Sequence, residues 1–344
     1  MIKKTLSIEL QKALELRSIC HHFDRKVSGM DFETIRAKYS NEEIEVALEN
    51  RQLYNDHLAK HQLTIDDLQV AMQRITWDAS ADAKACKSVT GSMPITFQNR
   101  VLKASQYAYD VCSSSDVDNS ESDDDKDDSN QHQQDNSTKK ILDVGVGYGL
   151  TIPFLKQVGF TAQQIHGIDL SAEMIQHAHT FYPDVATQGK LQVLNFSADK
   201  DAAENNDEKY RVVLFLSSLH DLPDMKRALW KTKNELLEKT TTTSSSGSGS
   251  VSGSRIIIVH PQGASHVHNQ HKQNPDLIPR GLPTTSELQA WLCDNGDDSR
   301  NDTDTDTTNE DPHPEIKMKL LVAPAAAKSE QEIREGYLAV LELI

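Results

Sequence analysis

The chain reads as an α/β protein: a doubly wound, mostly parallel sheet preceded by a helical region. Three observations predict this. Seven short apolar runs follow Thr138 and alternate with stretches of helical period. Ahead of residue 112 only helical patterns occur. The runs ILDVGV (141–146) and QIHGIDL (164–170) each lead through a turn into a helix, the order that gives parallel pairing.

Taken in order, the opening MIKKTLSIELQKALELRS has two lysines but no long apolar run, so it reads as an amphipathic helix and not as a secretory leader. Ser40 with Glu43, and Thr64 with Asp67, have the spacing of capping boxes. Behind them Ile44, Ala47, Leu48 and Leu53, then Leu68, Ala71, Met72 and Ile75, recur at helical intervals. Further strands are predicted over 191–196, 211–216, 255–260, 315–323 and 335–344. Helices are predicted from about Leu150 and over 172–181, 224–239 and 284–292. Only a short stretch separates the last two strands, which can therefore pair antiparallel.

This gives an N-terminal helical region (1–112), an acidic disordered linker (113–138) and a sheet-bearing domain (139–344) with disordered inserts at 240–254 and 294–311. The formal charge of −16 is concentrated in two of these segments. Residues 113–138 hold nine Asp/Glu and one Lys (−8), and residues 294–311 hold eight Asp/Glu and one Arg (−7), leaving −1 for the rest. The remaining chain lacks the basic excess a nucleic-acid partner calls for. No run approaches the roughly 18 apolar residues of a membrane span. Cys20, Cys86, Cys112 and Cys293 have no paired spacing and read as reduced thiols. The expected setting is the cytoplasm.

The most informative stretch is Asp143-Val144-Gly145-Val146-Gly147-Tyr148-Gly149, between an apolar strand and a helix. Alternate glycines let the backbone turn sharply and approach a ligand closely. In the dinucleotide fingerprint the third glycine comes one residue later, and Leu150 fills that position here. Asp143, two residues before the first glycine, is ill placed beside a pyrophosphate and well placed beside a cation. Asp169 ends the second strand 20 residues after Gly149, where a carboxylate can accept hydrogen bonds from ribose hydroxyls. An NAD(P)-dependent oxidoreductase and a non-catalytic binding subunit on the same fold are the competing readings.

ILDVGVGYG followed by IHGIDLSAEMIQHA resembles the first two motifs of class I S-adenosylmethionine (SAM)-dependent methyltransferases, and the likeness runs from about Ile141 to the C-terminus. The resemblance implies a Rossmann-like, seven-stranded, mostly parallel sheet with an antiparallel last strand, and SAM as cofactor. It implies that Asp143, Gly145, Gly147 and Gly149 hold the methionine end of SAM, Asp169 the ribose and Leu170 the adenine, with Asp199 as a further adenine contact. Arg211 departs from the family, where many members have an acid just before the fourth strand. The block HPQGASHVHNQHKQNPDLIPRGLP (260–283) resembles a eukaryotic subgroup with a similar His-Pro-x-Gly start and late Leu-Pro.

SSLHDLPD (217–224) follows the fourth strand, where the resemblance places the transferred methyl. His220 is a candidate general base with Asp221 beside it; otherwise Asp221 and Asp224 cap the next helix. Two serines stand where amino-methylating relatives for DNA and protein amides carry Asn/Asp-Pro-Pro-aromatic, which points away from those acceptors and toward a small molecule. His260 and His266 are candidates for lining the acceptor pocket. The spacing of His266, His268 and His271 has no i, i+4 pair, so no metal is expected. Trp77, Met93 and Phe97 either pack on the sheet or line that pocket.

Overall fold

The structure is a computed structural model describing residues 6–89, 93–113, 139–198, 208–238, 253–275, 277–293, 317–326 and 328–344. The predicted linker beyond Ser113, the insert at 240–252, the insert at 294–311 and Asp199 lie outside the described residues. Two compact units are present, Met1–Thr76 and Trp77–Ile344, with the boundary inside a helix.

The first unit is helical: α1 (Ile8–Val27), α2 (Phe32–Lys38), α3 (Asn41–His61) and the start of α4 (Ile65–Val89). Each start has the cap the sequence supplies. Ser40 and Glu43 form a reciprocal capping box, and Thr64 does the same with Asp67. α1 and α3 pack together, with Arg51 paired to Asp24 and the His57 ring 2.8 Å from the Glu9 carbonyl oxygen. Leu48, Leu53 and Ile75, three of the apolar residues at helical intervals, are exposed.

The second unit carries α5 (Ile95–Ser113), then β1 (Ile141–Val144), α6 (Ile152–Val158), β2 (Ile165–Asp169), α7 (Ala172–Phe181), α8 (Pro183–Gln188), β3 (Lys190–Val193), β4 (Val212–Leu216), α9 (Met225–Lys231), β5 (Arg255–His260), α10 (Ala264–Gln273), α11 (Thr285–Cys293), β6 (Met318–Val322), α12 (Glu330–Glu335) and β7 (Tyr337–Leu343). The seven strands lie in the order β3-β2-β1-β4-β5-β7-β6. β7 runs antiparallel to both neighbours and the other six are mutually parallel. The central strands are apolar throughout because both sheet faces are covered. Their side chains alternate between two cores. Val213, Phe215, Ile256, Ile258, Ala339 and Leu341 join the core under α9, α10 and α11. Val212, Leu214, Ile257, Val259, Leu338 and Val340 join the core under α5, α6 and α7. Fully burying a side chain such as Phe215 stabilises by roughly 3 kcal/mol.

The helix predicted over 224–239 is shorter: α9 ends at Lys231 and a π-turn, Thr232–Leu236, carries the chain on. Among the described residues no helix is long and apolar enough to cross a membrane.

One polar knot ties the start of α10 to α12. Glu332 is buried and accepts hydrogen bonds from the Ser265 amide (2.5 Å), the Ser265 hydroxyl (2.6 Å) and the Lys328 amide. Burial opposes its charge, yet these donors hold its pKa below the usual carboxylate range. A carboxylate here also suits the N-terminus of α10, which starts at Gly263 without a side-chain cap. Glu332→Ala orphans these donors and should cost about 2–4 kcal/mol in urea denaturation; a loss below ~0.5 kcal/mol would show the knot to be dispensable.

Candidate active site

The parallel strands bring the ends of β1, β2, β4 and β5 to one sheet edge, and with them Asp143, the glycine turn, Asp169, His220 and His260. β1 runs into a turn in which Gly145 (φ +78°), Gly147 (φ +55°) and Gly149 (φ +90°) take left-handed backbone angles. The Gly145 and Val146 amides donate to the Ile168 carbonyl (2.8 and 3.0 Å), which ties the turn to β2. A Cβ on Gly145 would sit 2.4 Å from Cβ of Ser218, so the turn after β4 packs where a side chain would be. Gly147 is different: a Cβ there meets no heavy atom within 4 Å, and this side of the turn is open.

Two carboxylates flank the turn. Asp143 is 1% exposed; one oxygen accepts from the Thr151 hydroxyl, and the other has no hydrogen-bond partner among the described residues. Burial pushes its pKa up to about 7, against the Thr151 bond and helped by the charge of Asp169. Asp169 accepts from the Gly147 amide and the Ser171 amide, each at 2.8 Å, so it braces the open side of the glycine turn against the start of α7. Burial raises its pKa, while those two amides and Lys84 pull it down. Leu170 follows, half-buried.

α4 docks on this edge. Asp78 accepts from the Ser171 hydroxyl (2.5 Å) and the Glu173 amide (3.4 Å), and Asp82 lies 2.9 Å from His177. The Lys84 ammonium lies 3.6 Å from the centre of the Trp77 ring. Its charge reaches Asp169, His220 and Asp221, acting on the pKa of each. Sequence reading missed Lys84. Its signal was the i, i+7 spacing from Trp77, which puts both on one helix face. Met93 and Phe97 pack against the core under α5 and α6, the packing alternative of the two considered.

The turn after β4 is held tightly. Ser217 has φ +54°, uncommon for a residue other than glycine, and its amide donates to the Val259 carbonyl (2.9 Å). The Ser218 hydroxyl donates to the Val144 carbonyl. A short 3-10 turn, Leu219–Asp221, then buries His220, whose ring centre lies 5.0 Å from that of His260; His260 in turn lies 5.8 Å from His266. His220 Nε2 is 3.4 Å from an Asp221 carboxylate oxygen. Nδ1 of His220 and Nδ1 of His260 are buried without a hydrogen-bond partner among the described residues. Burial lowers the pKa of His220 to about 4, with His266 and Lys84 adding to the effect. Burial likewise holds His260 well below the ordinary histidine value and raises Asp221 to about 8, against the pull of Lys84. Asp224, as read from sequence, caps α9 by accepting from the Arg227 amide (2.9 Å). His268 is exposed, and His271 Nδ1 lies 2.8 Å from the Ile278 carbonyl oxygen. Among the described residues no group of three or more His, Cys, Asp or Glu is arranged to hold a metal ion.

Residues 128–241 match the model of a family described as a methyltransferase domain. Comparison with curated protein sequences found no match. Among solved structures, the chain is similar to the plantazolicin methyltransferase BpumL in complex with SAH (15% identity, TM-score 0.43, 81% of this chain and 96% of that one). It is also similar to a structure of the Haloferax volcanii Trm112 methyltransferase activator with its methyltransferase (13% identity, TM-score 0.42, 77% and 96%). Against the CurJ carbon methyltransferase the identity is 13% and the TM-score 0.37; 59% of this chain is covered, spanning about half (48%) of that chain. The matched segment runs from ahead of β1 past β4 and its histidine turn, so the glycine turn, Asp169 and His220 all lie within the stretch that is similar to a methyltransferase domain.

Proposed function

We propose that this protein transfers a methyl group from SAM to a small-molecule acceptor. The observation that carries the reading is Asp143: a buried carboxylate with one unsatisfied oxygen, directly behind a glycine turn whose Gly147 side is open. Such a group favours a cationic ligand, and the amino and sulfonium charges of SAM fit it where a pyrophosphate would be repelled. Asp169 braces the turn through Gly147 and has lone pairs left for ribose hydroxyls. The absence of a basic stripe in the structured sequence favours a small acceptor over nucleic acid.

When bound, SAM supplies a methyl group already activated by its sulfonium. The protein's part is then alignment and exclusion of water. Asp143 and the glycine turn hold the cofactor's cationic end, Asp169 its ribose and Leu170 its adenine. Trp77, His260 and His266 line the acceptor side. His220, neutral at physiological pH, either accepts a proton from the acceptor or donates one hydrogen bond to it, according to which ring nitrogen carries its hydrogen.

Calorimetric titration tests this reading. SAM and its demethylated product should each bind the full-length protein with a micromolar or tighter Kd, and NAD should give no heat. Tight NAD binding without SAM binding would instead establish the oxidoreductase alternative.

A further inference from the structure

We propose a second binding site, apart from the one described above: a cavity on the sheet face beside β1, β2 and the π-turn, which takes a small organic anion with an apolar body, an alkyl or aryl carboxylate. It does not rest on the function proposed above.

The cavity follows from strand alternation and from what lies over it. Leu142 on β1, Ile168 on β2 and Leu194 just past β3 share one face of the sheet and form an apolar floor. Phe196, Tyr210 and Leu236 wall it. Leu236 comes from the π-turn Thr232–Leu236, a wide turn of a kind frequent at functional sites. Among the described residues no helix lies between β3 and β4, and this end of the face keeps a cavity of about 350 Å³. That volume falls in the range of small-molecule sites, roughly 300–1,000 Å³. Protein interiors are close-packed and unfilled apolar space is destabilising, so a space of this size is suited to an apolar body from outside. Neither Asp143, the glycine turn, Asp169 nor His220 lines it.

Charge decides the rest of the ligand. Three ammoniums, those of Lys190, Lys209 and Lys231, line the cavity against one carboxylate, that of Glu235, among the described residues. Lys190 is answered by Glu208 (2.6 Å), which also pairs with Lys140. Lys209 instead donates to the main-chain carbonyl of Glu235 (2.6 Å), and Lys231 to those of Phe196 and Ala198 (3.1 Å each). Neither of these two has a carboxylate in ion-pair contact among the described residues. An ammonium carries three donors, so Lys209 keeps two for a ligand and Lys231 keeps one. Cations held on neutral carbonyls beside an apolar cavity attract a carboxylate and repel an amine.

Calorimetry on the full-length protein tests the site with decanoate and octanoate, and with octylamine and acetate as controls. Decanoate should bind one-to-one with a Kd below about 100 μM, about tenfold tighter than octanoate, and the controls should give no saturable heat. Saturating SAM should move that Kd less than about threefold. Lys209→Glu, at an exposed position, should weaken decanoate at least about tenfold, and Leu194→Trp, which fills the floor, should abolish binding. Lys209→Glu decides the matter even if Leu194→Trp does not fold. No decanoate binding, octylamine binding as tightly as octanoate, competition with SAM, several molecules bound per chain, or an unchanged Kd in Lys209→Glu would each overturn the proposal. Binding that appears only after Asp201→Asn, Glu204→Gln and Asp207→Asn are combined would make the chain's own acidic connection the occupant, and would overturn it as well.

Discussion

Asp143→Asn should raise the melting temperature of the ligand-free protein and weaken SAM binding at least about a hundredfold. The two effects have one cause. Asp143 occupies a core-facing register of β1, 1% exposed, with a single hydrogen bond from Thr151. Burial raises its pKa from the ordinary 3.8 to about 7. Between those values the folded protein holds a proton that the unfolded chain has released. Stability therefore falls as pH rises through that window, and above about pH 7 the whole cost is present. Asparagine keeps the shape and an acceptor for Thr151 but carries no charge. The variant should match wild type near pH 4 and exceed it by on the order of 2 kcal/mol, or roughly 3–5 °C, near pH 8. A bound cation reverses the balance, because it stabilises the ionised form. SAM affinity of the wild type should then drop by up to about tenfold per unit as pH falls below about 7, and that slope should vanish in Asp143→Asn. Thermal melts across this range, with calorimetry at its two ends, give both readouts. Equal melting temperatures near pH 8 would show that Asp143 carries no buried charge in the ligand-free state.

Much of this arrangement is legible in the sequence because short-range rules govern it. The seven apolar runs are the seven strands, since strands covered on both faces must be apolar throughout. α7 runs over Ala172–Phe181 as read, because Ser171 supplies its cap and accepts from the Met174 amide. The glycine turn and Asp169 lie at strand ends, and parallel topology brings strand ends together. What the sequence hides depends on tertiary contact. α10 has a polar, histidine-rich composition with little apolar period, and its N-terminus is held by Glu332 from 67 residues further along. α9 stops early because a π-turn follows it, with Leu237 then bridging to Tyr210. Leu48 and Leu53 carry a helical period yet face solvent, since periodicity marks a stripe without naming what covers it. The place of Lys84 over Trp77 on this edge depends on Asp78 and Asp82, which dock α4 on Ser171, Glu173 and His177.

Removal of the second carboxylate should be more severe, because the proposed function gives Asp169 two tasks where it gives Asp143 one. Its oxygens accept from the Gly147 and Ser171 amides, fixing the open side of the glycine turn relative to α7, and in the proposed function they also accept from the ribose hydroxyls. Asp169→Ala leaves two amide donors without their partner and removes the acceptor for both ribose hydroxyls; SAM binding should fall by more than about a thousandfold. The fold should survive, since loss of a buried carboxylate offsets part of the lost hydrogen bonding: burial raises the pKa of Asp169 even with both amides in place. Asp169→Asn separates the two tasks. Its amide oxygen can retain the Gly147 bond, but its nitrogen cannot accept from Ser171 or from a hydroxyl, so an intermediate loss of about ten- to a hundredfold is expected. Circular dichroism and thermal melts establish that each variant is folded, and calorimetry with SAM gives the ratio. If Asp169→Ala bound SAM as tightly as wild type, the ribose could not lie against the end of β2, and the orientation assigned to the cofactor along the sheet edge would have to be reversed.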